Sequence, residues 1–271
     1  MSTAYKRAHP IRIVQSRQNA RVKELRIGFA RASRTEQGLL AIEGEHLLAE
    51  AAASSLKFHT VFVQQGAEAL LDRIDIPQSV EILALSPEVF SSAVHTESPQ
   101  GIAALIGPPS FSLDQALSGA QPLVLVAAGL QDPGNLGTLI RSAEAFGATG
   151  YVILPGTVST DNQKTLRASA GSIFRLPGVI AGEHHLFHEL AQRGIRALAA
   201  VATGGQPPAK HNLARGCALI LGNEGSGIPP AILRRADARV TIPAPGPVES
   251  LNVAIAGSIL LYEAARQRQQ P

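Results

Sequence analysis

Three short segments in the second half of the chain hold the side chains best suited to chemistry. The first, Asn135-Leu136-Gly137-Thr138-Leu139-Ile140-Arg141, reads as a loop running into a helix. It places Arg141 about two turns in, where a guanidinium can reach a phosphate or the edge of a ribose. The second, Leu219-Ile220-Leu221-Gly222-Asn223-Glu224-Gly225-Ser226-Gly227, reads as a buried strand opening into a turn whose glycines let a ligand approach the backbone. The third runs from Ile242-Pro243-Ala244-Pro245 to Ser250-Leu251-Asn252-Val253. It offers a hydroxyl and an amide at a strand exit, where open α/β sheets place ligands. Each segment has a plainer reading. Asn135 is a natural helix cap and Arg141 a natural surface group; the glycines suit any strand exit; Ser250 or Asn252 suits the cap of the last helix. The glycine spacing, G-x-x-G-x-G, differs from the G-x-G-x-x-G of dinucleotide sites and has no acid at the right distance, which disfavours a nicotinamide enzyme.

The elements that must carry these groups alternate strand and helix. Pro122 to Leu130 predicts a strand, Leu136 to Phe146 a helix stopped by Gly147, and Tyr151 to Leu154 a strand. A loop and helix follow through Arg167-Ala168-Ser169-Ala170-Gly171. Next come helix 184–193, strands 195–201, 217–221 and 239–242, and a closing helix from Leu251 to Arg268. The continuous apolar runs are those of a parallel sheet covered on both faces. Ahead of Gly107-Pro108-Pro109-Ser110 the pattern is smaller. It predicts a basic helix over 17–34, a helix from Gly44 to Ser54, strands at 60–63, 81–85 and 101–106, and helices at 68–73 and 87–93. The break near residue 110 divides the chain into a first domain, 1–108, and a second, 119–271.

Composition fits two folded domains: 271 residues, 45% apolar and 17% charged. The net charge is only +3, but the basic residues gather at the front. Lys6, Arg7, Arg12, Arg17, Arg21, Lys23, Arg26, Arg31 and Arg34 face the single acid Glu24 across the first 34 residues. That stretch suits a polyphosphate partner or a solvated helix face equally well. Cys217 is the one cysteine, so neither an intrachain disulfide nor a cysteine zinc site arises, and no metal is expected. With no apolar stretch of signal-peptide or membrane-spanning length, the expectation is a cytoplasmic protein without a membrane partner.

In order and spacing, the three segments resemble the signature motifs of the SpoU/TrmH family of the SPOUT superfamily. The likeness covers 122–268 and includes the closing SLNV and LLYEAARQR, with Arg167 to Gly171 and Phe174-Arg175 as the link between the first two motifs. The first half, through AIEGEHLLAEA and ESPQGIAAL, is similar to the small α/β L30e-like substrate-binding domain often joined to such enzymes. The resemblance implies an α/β fold with a parallel sheet and a C-terminal trefoil knot, a rare exception to the rule against threaded chains. It implies S-adenosyl-L-methionine (SAM) as cofactor, held by Leu221, Gly222, Ile242, Pro243, Ser250 and Leu251. Asn135, Arg141, Glu224, Ser250 and Asn252 match the catalytic positions. One departure is Ala244-Pro245, where the family usually has Met after the Ile-Pro pair, which bears on cofactor affinity.

The implied activity is methyl transfer to a ribose 2′-hydroxyl of RNA, ribosomal rather than transfer RNA by analogy alone. A non-catalytic RNA-binding or ribosome-assembly protein is the rival reading; it would share the basic N-terminus but has no need of the polar motif residues. The family's site is completed by a second subunit. A homodimer is therefore expected, with the small-residue stripe Ala254, Gly257, Ser258 and Leu261 of the last helix as its seam.

Overall fold

The computed structural model describes residues 10–30, 34–94, 96 and 98–269. The chain divides into two compact units, Met1–Pro109 and Ser110–Pro271.

In the first unit, β1 (Ile11–Val14), α1 (Ala20–Ala30), β2 (Leu40–Glu43), α2 (Glu45–Ala53), β3 (Phe58–Gln64), β4 (Glu81–Leu85), α3 (Pro87–Val94) and β5 (Ile102–Ile106) follow in order. The strands form one sheet, β1-β4-β3-β5-β2. β1, β4 and β3 run parallel, and β5 is antiparallel to both β3 and β2. Strands β1 and β2 were not expected. Each is only four residues long, β1 lies inside an arginine-rich stretch, and β2 is buried along its whole length, so neither shows a period-2 alternation long enough to read. The turn at Glu68–Arg73 is 3₁₀ rather than α. The predicted helix 17–34 is shorter at its start, and residues 31–33 lie outside the described residues, as do Lys6, Arg7 and Arg31. Part of the basic cluster is neutralised within the unit: Arg12 and Arg21 lie 3.3 and 3.6 Å from Glu81, and Arg21 also pairs with Glu24 at 3.0 Å.

The second unit opens with α4 (Leu113–Ala116), held by a capping box between Ser112 and Gln115. It continues through β6 (Leu123–Ala128), α5 (Pro133–Ala145), β7 (Gly150–Ile153), α6 (Gln163–Ser169), α7 (Ser172–Arg175), β8 (Gly178–Ile180), α8 (Glu183–Gln192), β9 (Arg196–Ala200), β10 (Cys217–Gly222), α9 (Pro230–Leu233), β11 (Ala238–Val240) and α10 (Val253–Arg268). All six strands are parallel, in the order β11-β9-β10-β6-β7-β8. β6 and β10 are buried at every residue, as a sheet covered on both faces requires. The helix expected through Arg167 to Gly171 is two helices. Ala170 and Gly171 both take left-handed backbone, at φ 48° and 85°, which ends α6 and restarts the chain as α7.

Chain direction reverses between β6 and β10. From β6 the chain steps to β7 and β8 on one side; from β8 it crosses to β9, inserts β10 beside β6, and steps out to β11. β6 and β10 therefore flank the switch point of the sheet, and the carboxyl ends of strands around such a point are the usual ligand position. α10 then returns from edge strand β11 to pack on β10 and α5. Gly257 is the contact point: a Cβ there would overlap the side chains of Leu139 and Leu221. The small-residue stripe expected to form a dimer seam is thus used inside the chain. Ala254 and Leu261 are buried, and Ser258 hydrogen-bonds Ser142 of α5 at 2.8 Å. At the far end of α10, Arg268 donates to the carbonyls of Gln121, Pro122, Leu213 and Arg215 at 2.5–3.2 Å, closing the edge where strands enter the sheet.

Gly257→Ala should destabilise the second unit by about 1–3 kcal/mol, since overpacking outweighs the better helix propensity of alanine. Urea unfolding followed by circular dichroism checks this, and a midpoint equal to or above the parent's would contradict the packing described.

Candidate active site

A cavity of about 700 Å³ lies at the carboxyl ends of β9, β10 and β11. Three stretches build its walls: Ala200 to Thr203 after β9, Leu221 to Gly227 after β10, and Val240 to Val253 leading into α10, with Ala256 and Leu260 behind. Leu221, Gly222, Ile242, Pro243, Ser250 and Leu251 all line it, as does Ala244. The stretch after β9 carried no polar signature, although its position beside β10 in a parallel sheet would have placed it here.

The turn after β10 is tight for a specific reason. Asn223 and Gly227 exchange backbone hydrogen bonds at 2.9 and 3.0 Å, folding the loop straight back over Gly222. A side chain on Gly222 would run into the backbone of Gly227 and Ile228, and Gly227 sits at φ 73°, where only glycine is comfortable.

Three motif side chains meet in one hydrogen-bonded row. Asn135 Nδ2 donates to Glu224 Oε1 at 3.0 Å, and Asn135 Oδ1 accepts from Asn252 Nδ2 at 3.1 Å. Asn135 is free to do this because it is not the helix cap. Asp132 is, its carboxylate accepting the Asn135 amide at 2.8 Å while Lys164 Nζ bonds its other oxygen at 2.8 Å. Asn252 does both jobs the sequence offered. Its Oδ1 caps α10 by accepting from Ala254 and Ile255, which leaves its Nδ2 for Asn135. Glu224 also accepts from the backbone N–H of Gln131 and Asp132, at 3.2 and 3.3 Å, so it ties the glycine turn to the start of α5. Partial burial pushes the Glu224 pKa up, but the Asn135 side chain and the backbone donors of Glu224, Gln131 and Asp132 outweigh it and leave the carboxyl below its ordinary value of 4.5. A carboxylate held that low is a poor proton acceptor at neutral pH.

Arg141 stands apart from this row. It lies on the exposed surface of α5, does not line the cavity, and among the described residues has no hydrogen-bond or ion-pair partner. Helix geometry separates it from Asn135. Six residues on, it is about 9 Å along the axis and about 240° around it, so the two side chains leave on different faces. Ser250 lines the cavity and is exposed.

A second, shallower groove of about 440 Å³ starts at Asn135 and Asn252 and runs along Thr138, Ile255, Ser258, Ile259 and Tyr262. Asn252, Ile255, Ile259 and Tyr262 form one stripe of α10, and its three apolar members are exposed, by 54%, 38% and 55%. Among the described residues no group of three or more His, Cys, Asp or Glu side chains is placed to hold a metal ion.

A parallel α/β sheet with a folded-back glycine turn and an amide-carboxylate row at its switch point is the arrangement of an α/β protein that takes a ligand at the carboxyl ends of its strands. The chain belongs to the SpoU rRNA methylase family, whose model matches residues 122–262. Residues 19–104 match the MRM3-like substrate binding domain. Among relatives, the 23S rRNA (guanosine(2553)-2′-O)-methyltransferase RlmP of Bacillus subtilis is 35% identical over 249 residues, covering 92% of this chain and 97% of its own. The crystal structure of an RNA 2′-O ribose methyltransferase superposes with a TM-score of 0.80 at 30% identity, over 94% of this chain and 99% of that one. The SpoU methyltransferase AviRb of Streptomyces viridochromogenes, in complex with AdoMet (SAM), superposes with a TM-score of 0.84 at 26% identity, over 93% and 99% of the two chains.

A group whose folded pKa is depressed stabilises the fold above its unfolded pKa and loses that contribution as pH falls through the folded value. The tie from Glu224 to α5 should therefore survive below pH 4.5. A carbon-detected NMR titration of the Glu224 carboxyl should show its midpoint below that pH; a midpoint above it would refute the hydrogen-bonded row.

Proposed function

We propose that this protein transfers a methyl group from SAM to a ribose 2′-hydroxyl of ribosomal RNA. The observation that carries the reading is the junction of the three motifs beside one cavity, which Glu224 and Asn252 line and to which Asn135 is joined by hydrogen bonds to both. A non-catalytic RNA-binding protein would have no need of that row. The cavity also fits the cofactor chemically: Gly222 lines it, Gly227 has open space beside its backbone for close main-chain approach, and Leu221, Ile242 and Leu251 supply apolar wall. Those residues, with Pro243 and Ser250, would hold SAM. Ala244-Pro245 keeps the backbone route of the wall, so the missing methionine is expected to adjust affinity rather than abolish binding.

Bound SAM supplies an already activated sulfonium methyl group. The protein has to present the hydroxyl, which is a weak nucleophile because it is deprotonated only at high pH. Holding the ribose oxygen in line can contribute several kcal/mol through orientation. Asn252 and Ser250, at the mouth of α10, are placed to orient the ribose. Glu224 anchors the turn, and its depressed pKa argues against a role as base. Arg141 stays protonated and serves to clamp a phosphate and polarise the hydroxyl.

Arg141 cannot serve its own chain's cavity from its place on α5, which favours a homodimer in which each subunit lends its arginine to the other. The exposed stripe Ile255, Ile259 and Tyr262, continuous with Asn252, is the seam we assign, in place of the small-residue stripe. The return of α10 from edge strand β11 to the sheet centre is the path a trefoil knot would take. The first unit is assigned to RNA binding and the protein to the cytoplasm; no helix of the described residues is long and apolar enough to cross a membrane.

Mapping 2′-O-methyl sites in ribosomal RNA from cells with and without the gene tests the reading directly, and an unchanged map would sink it. Arg141→Ala should lower the methylation rate at least about 10²-fold, the scale of losing one transition-state donor, with SAM affinity in isothermal titration within about twofold of the parent. Equal loss of both would refute this division of roles. Ile259→Asp should convert the dimer to monomer in light scattering and abolish turnover; a variant that stays dimeric would move the seam elsewhere.

A further inference from the structure

Asn223 sits between Gly222 and Glu224, and besides the backbone pair it makes with Gly227 every polar atom of its side chain is engaged. Its Oδ1 accepts from Gly225 N at 2.9 Å, Ser226 N at 2.9 Å and Ser226 Oγ at 3.1 Å. Its Nδ2 donates to the carbonyl of Gly129 at 3.0 Å, across 94 residues of sequence. Gly129 belongs to the loop that leaves β6 and leads to Asn135. That loop is pinned from its other side, because Gly129 N donates to Thr157 Oγ1 at 2.8 Å and Thr157 Oγ1 donates to Ala127 O at 3.1 Å. The two ends of the Asn223 amide thus face two different loops, one lining the cavity and one carrying α5.

We propose that Asn223 is a positioning residue with two separable jobs: its oxygen shapes the cofactor-binding turn, and its nitrogen sets that turn in register with the loop that presents Asn135. The assignment rests on the functional reading above. Only an asparagine-like side chain satisfies both directions. Glutamine would carry the amide one carbon too far, and aspartate keeps the acceptor but sets a second oxygen against the Gly129 carbonyl. Glu224 depends on the same arrangement, since its carboxylate reaches Gln131 and Asp132 two and three residues beyond Gly129.

Two variants separate the jobs. Asn223→Ala removes both, and should raise the SAM dissociation constant about tenfold in isothermal titration while lowering kcat as well. Asn223→Asp keeps the turn, and should bind SAM within about threefold of the parent yet lose about tenfold in kcat at saturating SAM. An independent readout needs no cofactor. Hydrogen exchange of the Gly225 and Ser226 amides by NMR should be parent-like in the aspartate variant and about tenfold or more faster in the alanine variant, with thermal midpoints showing both proteins folded. If the alanine variant does not fold, the aspartate variant alone carries the test through its exchange rates and the split between Kd and kcat. Parent-like amide exchange and SAM affinity in Asn223→Ala would overturn the assignment, as would an equal fall of affinity and kcat in Asn223→Asp. A parent protein that binds no SAM would instead overturn the functional reading, and the exchange measurement would still decide the role of the Asn223 oxygen.

Discussion

One carboxylate sets the direction of the polar row. Ionised Glu224 can only accept hydrogen bonds, so the NH₂ of Asn135 must face it. The Asn135 oxygen is then turned toward Asn252, which must answer with its own NH₂, and the Asn252 oxygen is left pointing at the first amides of α10. A choice made by charge at the glycine turn is thus passed, atom by atom, to the cap of the last helix. Reversing either amide would put oxygen against oxygen at one of its ends and donor against donor at the other. The depressed pKa of Glu224 keeps this order in force over the whole neutral range.

That row spans elements far apart in sequence, and the sheet is what makes it short in space. β6 and β10 are neighbours in register, Leu221 opposite Ala127 and Gly222 opposite Ala128, so their exits are one strand spacing apart. The two exit loops are tied together where Asn223 and Glu224 reach Gly129, Gln131 and Asp132, and the cavity lies beside them at the ends of β9, β10 and β11. Gly257 lets α10 settle against Leu139 and Leu221 closely enough to bring Asn252 over the gap. Backbone topology supplies the distance, glycine the clearance, and amides the orientation.

Much of this was legible in the residues. The long buried strands β6 and β10, the glycine turn, and the polar positions on either side of them stand out by type and spacing; Asn135, Glu224 and Asn252 meet in one row, and Arg141 lies apart from it. The second asparagine of the row was legible as a cap or as a site residue; the structure makes it both, through different atoms. Short elements were less readable. β1, β2 and β8 have three or four residues each, too few for periodicity to speak. The small residues of α10 were misread because a stripe of alanine, glycine and serine signals close approach without naming the partner, and the partner is the chain's own α5 and β10. Arg141 marks another limit, since spacing along a helix tells which face a side chain leaves but not which molecule it meets there.

The last helix reaches both ends of the second unit. Near its start Asn252 completes the polar row, and at its finish Arg268 gathers four carbonyls from the segments that lead into the central strands β6 and β10. Docking of α10 and assembly of the reaction centre are consequently a single event. A chain still lacking that helix has neither the ties of Arg268 nor the aligned amides, and its cavity is open on the side that Ala256 and Leu260 close.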